Sequence, residues 1–344
     1  MGTSLGLCFT CLECGLWWRL NTVNQYWKEK LQREKSKTEF SARPSANLQP
    51  QDSTGGSFLI PPELDRQPLE VPGAKEAYLW MGHLHVHDSH GMRRVEDFPA
   101  KKQGIFRIIA IGDSFTYGQG VGEKETWPFR LEQRLKPHGP VEILNLGVCG
   151  ASSENIAKTL SHFLPLLQAD LVIYGVCLND FLPDLKWRPK ALEWAFPLPE
   201  AVKHFFISRT LTGKFFDQIY NRILLGTGLR LDYAKQLRQS SELYKDRFVK
   251  DLKNIITINA QFIPRPPIAM VLNQWPVQDD PLSLYTQVLL STAGFNTVPC
   301  EPYLKEYSRV KMNVGPWEMH PNRQAHEVFA QEFERYLLDK VRIK

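Results

Sequence analysis

Residues 105–118 read IFRIIAIGDSFTYG, and the fold class can be predicted by starting from them. Ile105–Ile111 is a short, mostly apolar run that ends at Gly112, which is typical of a buried strand in a parallel sheet. Glycine and small polar residues follow the run directly, and such residues favour a tight turn. The stretch therefore predicts a buried parallel strand that leads into a polar turn.

Similar runs recur along the rest of the chain, with segments of helical spacing between them. The further predicted strands are Tyr78–His87, Val141–Leu146, Asp170–Val176, Pro267–Leu272 and a short one near Thr297. The predicted helices are Trp127–Leu135, Asn155–Gln168, Leu282–Ala293 and His320–Val341, with a mostly helical stretch over 192–263. This alternation predicts a doubly wound, flavodoxin-like α/β fold. It would be a three-layer α/β/α sandwich around a mostly parallel five-stranded sheet.

Composition indicates an ordinary globular chain of 344 residues, with 43% hydrophobic and 23% charged residues. These values exclude collagen-like, coiled-coil and wholly disordered classes. We expect three parts. Residues 1–57 would be an apolar segment and a polar linker, and residues 58–104 an extended lead-in. Residues 105–344 would be the main domain, with a helical insertion at about 181–265.

Charge and hydropathy limit the expected partners. The net charge is only +5, and no Lys/Arg block dominates, so we expect no nucleic-acid partner. Residues 5–18, LGLCFTCLECGLWW, are apolar but too short to span a bilayer comfortably. Two interpretations of this segment stay open. It is either a degenerate membrane anchor giving weak membrane association, which suits the cell envelope, or a docking helix, which suits the cytoplasm.

Two motifs raise the question of metal binding. CFTCLEC at residues 8–14 has a spacing seen in iron–sulfur ligation, but no nearby fourth cysteine precedes a proline. HLHVH at residues 83–87 would place three histidines on one face of a strand. No second ligand group accompanies them at zinc-finger spacing, so we favour a polar strand face beside the active site. We therefore expect neither a metal nor an organic cofactor.

The predicted strand ends carry the parts that acyl transfer needs. In a doubly wound sheet the active site lies beyond the carboxyl ends of the strands. Ser114, Gly150 and Asn179 follow three strands, and His320 precedes the last helix. Serine attacks a carbonyl, histidine takes its proton, and backbone and side-chain amides stabilise the oxyanion. Alone, Ser114 suits a helix N-cap, Asn179 an Asx-turn and His320 a helix start.

Four blocks in this order resemble the SGNH (GDSL-type) hydrolase superfamily. More narrowly, GDSFTYGQGVGEKETWP, NLGVCG, LND and HPNRQAH look like bacterial SGNH proteins related to alginate O-acetylation factors. The upstream HDSHGMRR is similar to the same group, so the resemblance covers about residue 88 to the C-terminus. It implies hydrolysis of acyl esters, acetyl esters on carbohydrate in particular. The implied partner is a small-molecule or carbohydrate ester.

The resemblance also implies a role for each matching residue. Ser114 matches the nucleophile, and its N–H would be one oxyanion donor. Gly150 matches the second donor through its N–H, and Asn179 the third through its side-chain amide. His320 matches the general base. Asp113 matches an aspartate that is usually structural.

The sequence departs from the family pattern at the third triad position. The family places Asp two or three residues before the histidine, where this chain has Glu318 and Trp317. Either Glu318 orients His320, or a backbone carbonyl does so in a Ser–His dyad. Of the neighbouring residues, Gly147 is expected to serve only as a turn glycine and His326 as a packing or surface residue. Besides an esterase, a polysaccharide O-acetyltransferase and a non-catalytic binding or assembly protein stay open.

Overall fold

The structure is a computed structural model. It describes residues 74–80, 83–94, 97–182, 233–272, 281–299 and 318–341, with short pieces at 14–15, 67–68 and 312–315 and isolated residues between 210 and 223. The chain divides into two compact units. The first unit contains Met1–Leu69, Tyr78–Leu84 and Pro189–Tyr233, and the second contains Glu70–Ala77, His85–Arg188 and Ala234–Lys344.

Three short strands precede the main sheet. They are β1 (Gln67–Pro68), β2 (Glu76–Trp80) and β3 (His83–His87). β1 pairs antiparallel with β2, and the three strands follow one another in the order β1-β2-β3. The sequence predicted one strand over Tyr78–His87, and the structure instead has two strands there.

Five parallel strands form the main sheet, in the order β5-β4-β6-β7-β8. Their bounds are β4 (Phe106–Gly112), β5 (Val141–Gly147), β6 (Leu171–Val176), β7 (Ile268–Val271) and β8 (Asn296–Thr297). β4 lies second in the sheet, between β5 and β6, with Ile108 opposite both Ile143 and Leu171. The predicted mostly parallel five-stranded sheet is confirmed.

Six helices accompany the sheet in the described part of the chain. They are α1 (Ser114–Tyr117), α2 (Trp127–Leu135), α3 (Ser153–Leu167), α4 (Tyr233–Phe262), α5 (Pro281–Ala293) and α6 (Arg323–Lys340). α2 packs against α6, where the Trp127 and Phe333 rings lie 4.7 Å apart.

Burial on both faces of β4 explains its unbroken apolar run. Ile108 and Ala110 belong to a buried cluster that also contains Trp127 and Phe333. Because alternate residues of a strand point to opposite faces, Ile109 faces the other way, and it is equally buried. A strand covered on both faces belongs to the middle layer of a sandwich, as the predicted three-layer α/β/α fold requires.

The end of the chain differs from its prediction. A helix was expected over His320–Val341, but α6 begins at Arg323 because the Asn322 side chain caps it. Its Oδ1 accepts hydrogen bonds from the N–H groups of Gln324 (3.0 Å) and Ala325 (3.1 Å). His320 lies before the cap on β10 (Glu318–Pro321), which pairs antiparallel with β9 (Asn313–Gly315). The interpretation of His320 as a residue at the helix start is therefore wrong.

Several predictions concern residues that the structure does not describe. Of the apolar segment at 5–18, only Cys14 and Gly15 are described, so the membrane-anchor and iron–sulfur interpretations are not tested. In the expected insertion at about 181–265, α4 is the long described element. Within the described ranges, no helix is both long enough and apolar enough to cross a membrane.

Candidate active site

Ser114 occupies a sharp turn between β4 and α1. β4 ends at Gly112, where a Cβ atom would lie 2.1 Å from Thr116 Oγ1 and 2.6 Å from the Gly175 carbonyl oxygen. Only glycine permits this close approach of the strand end to the helix. Asp113 caps α1, because its Oδ1 accepts a hydrogen bond from the Phe115 N–H at 2.9 Å. Ser114 is thereby placed as the first residue of a one-turn helix at the carboxyl edge of the sheet.

The structure brings Ser114 and His320 together from positions 206 residues apart. His320 Nε2 lies 2.9 Å from Ser114 Oγ, which is hydrogen-bonding distance. The Ser114 hydroxyl also lies 3.2 Å from Asp113 Oδ2, so it has two acceptors within reach. The Phe115 ring packs against the imidazole of His320, with centroids 5.6 Å apart. A serine hydroxyl that faces an imidazole nitrogen is the arrangement that general-base activation of a nucleophile needs.

The other predicted oxyanion residues lie in turns after the neighbouring strands. Gly150 follows β5 with φ +73°, a left-handed conformation that favours glycine. Asn179 lies in the 3-10 turn Leu178–Phe181 that follows β6, and its side chain hydrogen-bonds to Asp113. Asn179 Oδ1 is buried and has no hydrogen-bond partner among the described atoms. Asn179 thus hydrogen-bonds to Asp113, which is next to Ser114, and Gly150 lies at the same edge of the sheet.

Glu318 is the predicted third member of the triad. Its backbone belongs to β10, two residues before His320, and it pairs with Gly315 of β9. The structure describes only the backbone of this residue, so the placement of its carboxylate lies outside the described atoms. The choice between a triad and a dyad stays a prediction.

A family model matches most of this chain. The model of the GDSL-like Lipase/Acylhydrolase family matches residues 110–328, which include Ser114, Gly150, Asn179 and His320. This chain belongs to the GDSL-like Lipase/Acylhydrolase family. No curated protein matches its sequence at a significant level.

Several solved structures are similar to this chain over nearly their whole length. TesA matches with 14% identity and a TM-score of 0.42, over 67% of this chain and 97% of its own. A G-D-S-L lipolytic protein from Veillonella parvula matches with 15% identity and a TM-score of 0.39, over 70% and 100%. A catalytic mutant of Axe2, an acetylxylan esterase from Geobacillus stearothermophilus, matches with 12% identity and a TM-score of 0.42, over 69% and 95%.

The aspartate of this GDSL motif is fully buried. Burial raises the pKa of the Asp113 carboxyl above its ordinary value. The hydrogen bond from the Phe115 N–H opposes that rise most strongly, followed by the charge of His320 and by hydrogen bonds from Cys177 and Asn179. Asp113 therefore hydrogen-bonds to Ser114 and Asn179 and feels the charge of His320, which is consistent with a structural aspartate that organises the candidate site.

A second buried aspartate lies at the same edge. Asp180 Oδ2 accepts hydrogen bonds from the Tyr174 hydroxyl at 2.7 Å and from the Cys177 N–H at 3.0 Å. Burial raises the pKa of Asp180 well above its ordinary value, and the nearby charge of Asp113 raises it further. Burial likewise raises the pKa of the Cys177 thiol, so this thiol stays protonated and is a poor nucleophile.

The sequence does not predict that Asn145 and Gly147 of β5 contact the helix that carries Ser114. Asn145 on β5 donates from Nδ2 to the Thr116 carbonyl at 2.9 Å and accepts from the Gly147 N–H at 2.9 Å. A Cβ at Gly147 would lie 2.2 Å from the Tyr117 nitrogen, so this glycine permits contact between β5 and α1. Gly147 is the last residue of β5 and not only a turn glycine. The NLGVCG block itself was the available signal.

His326 is a packing residue with a defined hydrogen bond. It is fully buried, and its Nδ1 accepts from the N–H of Trp127, the first residue of α2, at 3.2 Å. This bond satisfies a helix-start N–H that the Thr126 side chain leaves uncapped. Burial lowers the pKa of His326 from 6.5 to about 3, and the charges of Arg93 and Arg130 lower it as well.

His85 and His87 of β3, predicted to belong to a polar strand face beside the active site, lie against the helix that carries Ser114. His83, His85 and His87 are all buried. His85 and His87 contact the side chain of Tyr117, the last residue of α1. Their alternation in the sequence places them on one face of a strand, but nothing local identifies Tyr117 as the partner of two of them. Among the described residues, the His and carboxylate atoms grouped within 4.8 Å of one another belong instead to Asp88, His90 and Asp97.

Proposed function

We propose that this chain is a serine esterase of SGNH type that hydrolyses acyl esters through a Ser114 acyl-enzyme. The observation that carries the proposal is the 2.9 Å distance between Ser114 Oγ and His320 Nε2 at the carboxyl edge of the sheet. Membership of an acylhydrolase family supports it. Fold membership alone does not establish activity, so the proposal depends on this serine–histidine pair.

In the acylation step, Ser114 Oγ attacks the ester carbonyl carbon while His320 Nε2 takes the hydroxyl proton. The carbonyl electrons move to oxygen, and the N–H groups of Ser114 and Gly150 and the Asn179 amide stabilise that oxyanion. When the tetrahedral intermediate collapses, the bond to the alcohol oxygen breaks and His320 returns the proton to the leaving alcohol. Water then attacks the acyl-enzyme by the same route and releases the acid.

The proposed substrate is an acetyl ester, carried by a small molecule or a carbohydrate. This choice follows from the similarity of the four sequence blocks to bacterial SGNH proteins of the alginate O-acetylation group. The chemistry of the site requires no metal or organic cofactor, because the histidine moves the proton and the amides bind the oxyanion. An acetyltransferase would use the same residues, with a sugar hydroxyl in place of water.

The test is labelling of the full chain with a fluorophosphonate probe. Ser114 Oγ would form a bond to phosphorus, fluoride would leave, and His320 would take the hydroxyl proton. We expect labelling of the wild type and of Ser161→Ala, whose serine is exposed on α3, and none of Ser114→Ala. If Glu318→Gln also abolishes labelling, Glu318 is the third member of the triad.

Two further outcomes separate the alternatives. Release of p-nitrophenol from p-nitrophenyl acetate that requires an added carbohydrate acceptor, with acetylated sugar as the product in place of acetate, would indicate a transferase. A folded wild-type protein that does not react with the probe would contradict the proposal and indicate a non-catalytic binding or assembly protein.

A further inference from the structure

Two histidines of the lead-in share one hydrogen-bonding partner on the nucleophile helix. His85 Nδ1 lies 3.1 Å from the Tyr117 hydroxyl, and His87 Nε2 lies 2.9 Å from the same oxygen. Both imidazoles stack on the phenol ring, with centroid separations of 5.6 and 5.7 Å. The three side chains are buried. Tyr117 is therefore held both by its ring and by its hydroxyl.

The chemistry of a phenol makes the two bonds unequal. One O–H can donate to one imidazole nitrogen, so the oxygen must accept an N–H from the other. His87 Nδ1 lies 3.8 Å from the Glu76 carboxylate, which favours a proton on that nitrogen and leaves Nε2 as an acceptor. Tyr117 then donates to His87 and accepts from His85 Nδ1–H. This arrangement of protons satisfies both hydrogen bonds of the Tyr117 hydroxyl.

Arg93 holds the backbone at the same place. This buried arginine donates from Nη1 to the Tyr117 carbonyl at 2.9 Å and to the Gly118 carbonyl, and from Nη2 to the Val121 carbonyl. Its guanidinium carbon also lies 5.1 Å from the centre of the Tyr117 ring. Three carbonyls and one ring around the two Nη groups of Arg93 make a specific attachment point, while its buried Nε has no hydrogen-bond partner among the described atoms.

The attachment reaches Ser114 through a single helical turn. The Tyr117 N–H bonds to the Asp113 carbonyl at 2.9 Å, and the Gly118 N–H bonds to the Ser114 carbonyl at 2.9 Å. α1 has only four residues, so a shift of its last residue moves its first. We propose that His85 and His87 are positioning residues that, through Tyr117, hold Ser114 in line with His320. This inference rests on the proposed esterase function.

The first measurement compares Tyr117→Phe with the wild type in hydrolysis of p-nitrophenyl acetate. This variant keeps the ring and its stacking but removes the oxygen that both histidines bind. We expect kcat to fall about 10- to 100-fold, because misplacement by a fraction of an ångström disturbs the attack geometry. KM should stay near the wild-type value, whereas the melting temperature should fall by a few degrees, about 2–4 °C for each kcal/mol lost, because two buried imidazole nitrogens lose their partner.

The second measurement uses amides as atom-specific substitutes for the two histidines. An Asn side chain places its polar atoms near Nδ1, and a Gln side chain places them near Nε2. Because His85 uses Nδ1 and His87 uses Nε2, His85→Asn and His87→Gln should retain most of kcat. His85→Gln and His87→Asn should lose about as much as Tyr117→Phe. A role limited to filling space would not reverse its amide preference between the two positions.

A spectroscopic readout keeps the inference separate from the esterase proposal. With ¹⁵N-histidine labelling, the His320 Nε2 resonance reports the hydrogen bond to Ser114, and His320→Gln identifies it. We expect Tyr117→Phe to shift this resonance. Unchanged kcat in Tyr117→Phe together with an unshifted resonance, in a wild type that reacts with the fluorophosphonate at Ser114, would overturn the positioning role alone. A wild type that does not react would overturn the esterase proposal, and the shift would still decide the positioning.

Discussion

The two edges of the parallel sheet differ in how completely their buried charged groups are hydrogen-bonded. At the amino edge, Arg107 of β4 is only 1% exposed, yet each guanidinium nitrogen has an acceptor 2.8 Å away. Nε donates to Glu142 on the adjacent strand, Nη1 to the Leu167 carbonyl and Nη2 to the Pro99 carbonyl. Nearby, Asp170 Oδ2 accepts from Lys101 Nζ at 2.6 Å and from the Arg107 N–H at 2.7 Å.

At the carboxyl edge the polar groups are incompletely matched. Asp180 Oδ1 and Asn179 Oδ1 are buried without a hydrogen-bond partner in the part of the chain that the structure describes. Burial also raises the pKa of both Asp113 and Asp180. One edge thus has matched charges that stabilise the fold, and the other keeps costly groups beside Ser114. Unmatched groups are expected where a site is arranged for chemistry and not for stability.

The largest loss of activity is expected from a substitution at the carboxyl edge that leaves the protein folded. His320→Gln removes the base that faces Ser114, so kcat/KM for p-nitrophenyl acetate should fall at least about 1,000-fold. The free energy of unfolding in urea should change by less than about 0.5 kcal/mol, since His320 is only partly buried. His162→Gln, at an exposed position of α3, is the control and should keep wild-type activity. A His320→Gln variant with more than a tenth of the activity would contradict the assignment of the base.

The amino edge should respond in the opposite manner. Arg107→Met leaves Glu142 and two carbonyls without their donor, so the free energy of unfolding should fall by about 3 kcal/mol. The kcat/KM of the folded fraction should stay unchanged, because Arg107 lies at the other end of β4. The measurements are urea unfolding and initial rates.

A surface arginine provides the comparison for Arg107→Met. Arg134 is one-third exposed on α2 and pairs with Glu327 and Glu334. Arg134→Met should cost less than about 1 kcal/mol. Equal losses in the two variants would show that burial and matching at the amino edge have no special weight.

The contrast between the edges also separates what the sequence could predict from what it could not. Ile105–Ile111, Val141–Leu146 and Asp170–Val176 were recognised because strands buried on both faces are apolar throughout and end at glycine or a small polar turn. Each end of the three observed strands lies within one residue of its predicted position. The residues at their carboxyl ends were also recognised, because small polar residues directly after such strands are unusual in a core.

Non-local pairing explains the failures. The β9–β10 pairing that carries His320 depends on residues outside the local pattern, whereas HPN before an apolar helix resembled a helix start. The alternation of His85 and His87 predicts a shared strand face but not their partner, because Tyr117 is about 30 residues away in the chain. Arg107 interrupted an apolar run, and only the register that places it beside Glu142 explains it.

His326 connects the comparison to pH. Its pKa falls from 6.5 in the unfolded chain to about 3 in the fold, so the unfolded chain binds more protons between these values. Stability therefore falls as the pH drops below 6.5, by about 1.4 kcal/mol per pH unit, or about 2 kcal/mol at pH 5.

His326→Asn isolates this effect, because Asn Oδ1 replaces the Nδ1 that accepts the Trp127 N–H but does not titrate. The difference between wild type and variant in urea unfolding should change by about 2 kcal/mol between pH 7.5 and pH 5. A pH-independent difference would show that His326 does not titrate in this window.

The smallest change in the free energy of unfolding is expected from replacing a buried aspartate by asparagine at each edge. The same type of substitution should stabilise the protein at the carboxyl edge and destabilise it at the amino edge. Asp180→Asn removes a buried carboxyl group whose charged form is disfavoured by burial and by the charge of Asp113. Asn Oδ1 still accepts from Tyr174 and Cys177. We expect a gain of about 1 kcal/mol in the free energy of unfolding at pH 7.

The pH dependence of Asp180→Asn follows from the raised pKa of Asp180 in the fold. The folded wild type binds more protons than the unfolded chain above pH 3.8, so its stability falls as the pH rises toward the folded value. The gain from Asp180→Asn should therefore shrink at acidic pH. Asp170→Asn at the amino edge weakens bonds to Lys101 and to the Arg107 N–H, and it should cost about 1 kcal/mol at pH 7. If both substitutions destabilise, the carboxyl edge is as well matched as the amino edge, and its unpaired oxygens do not mark a functional site.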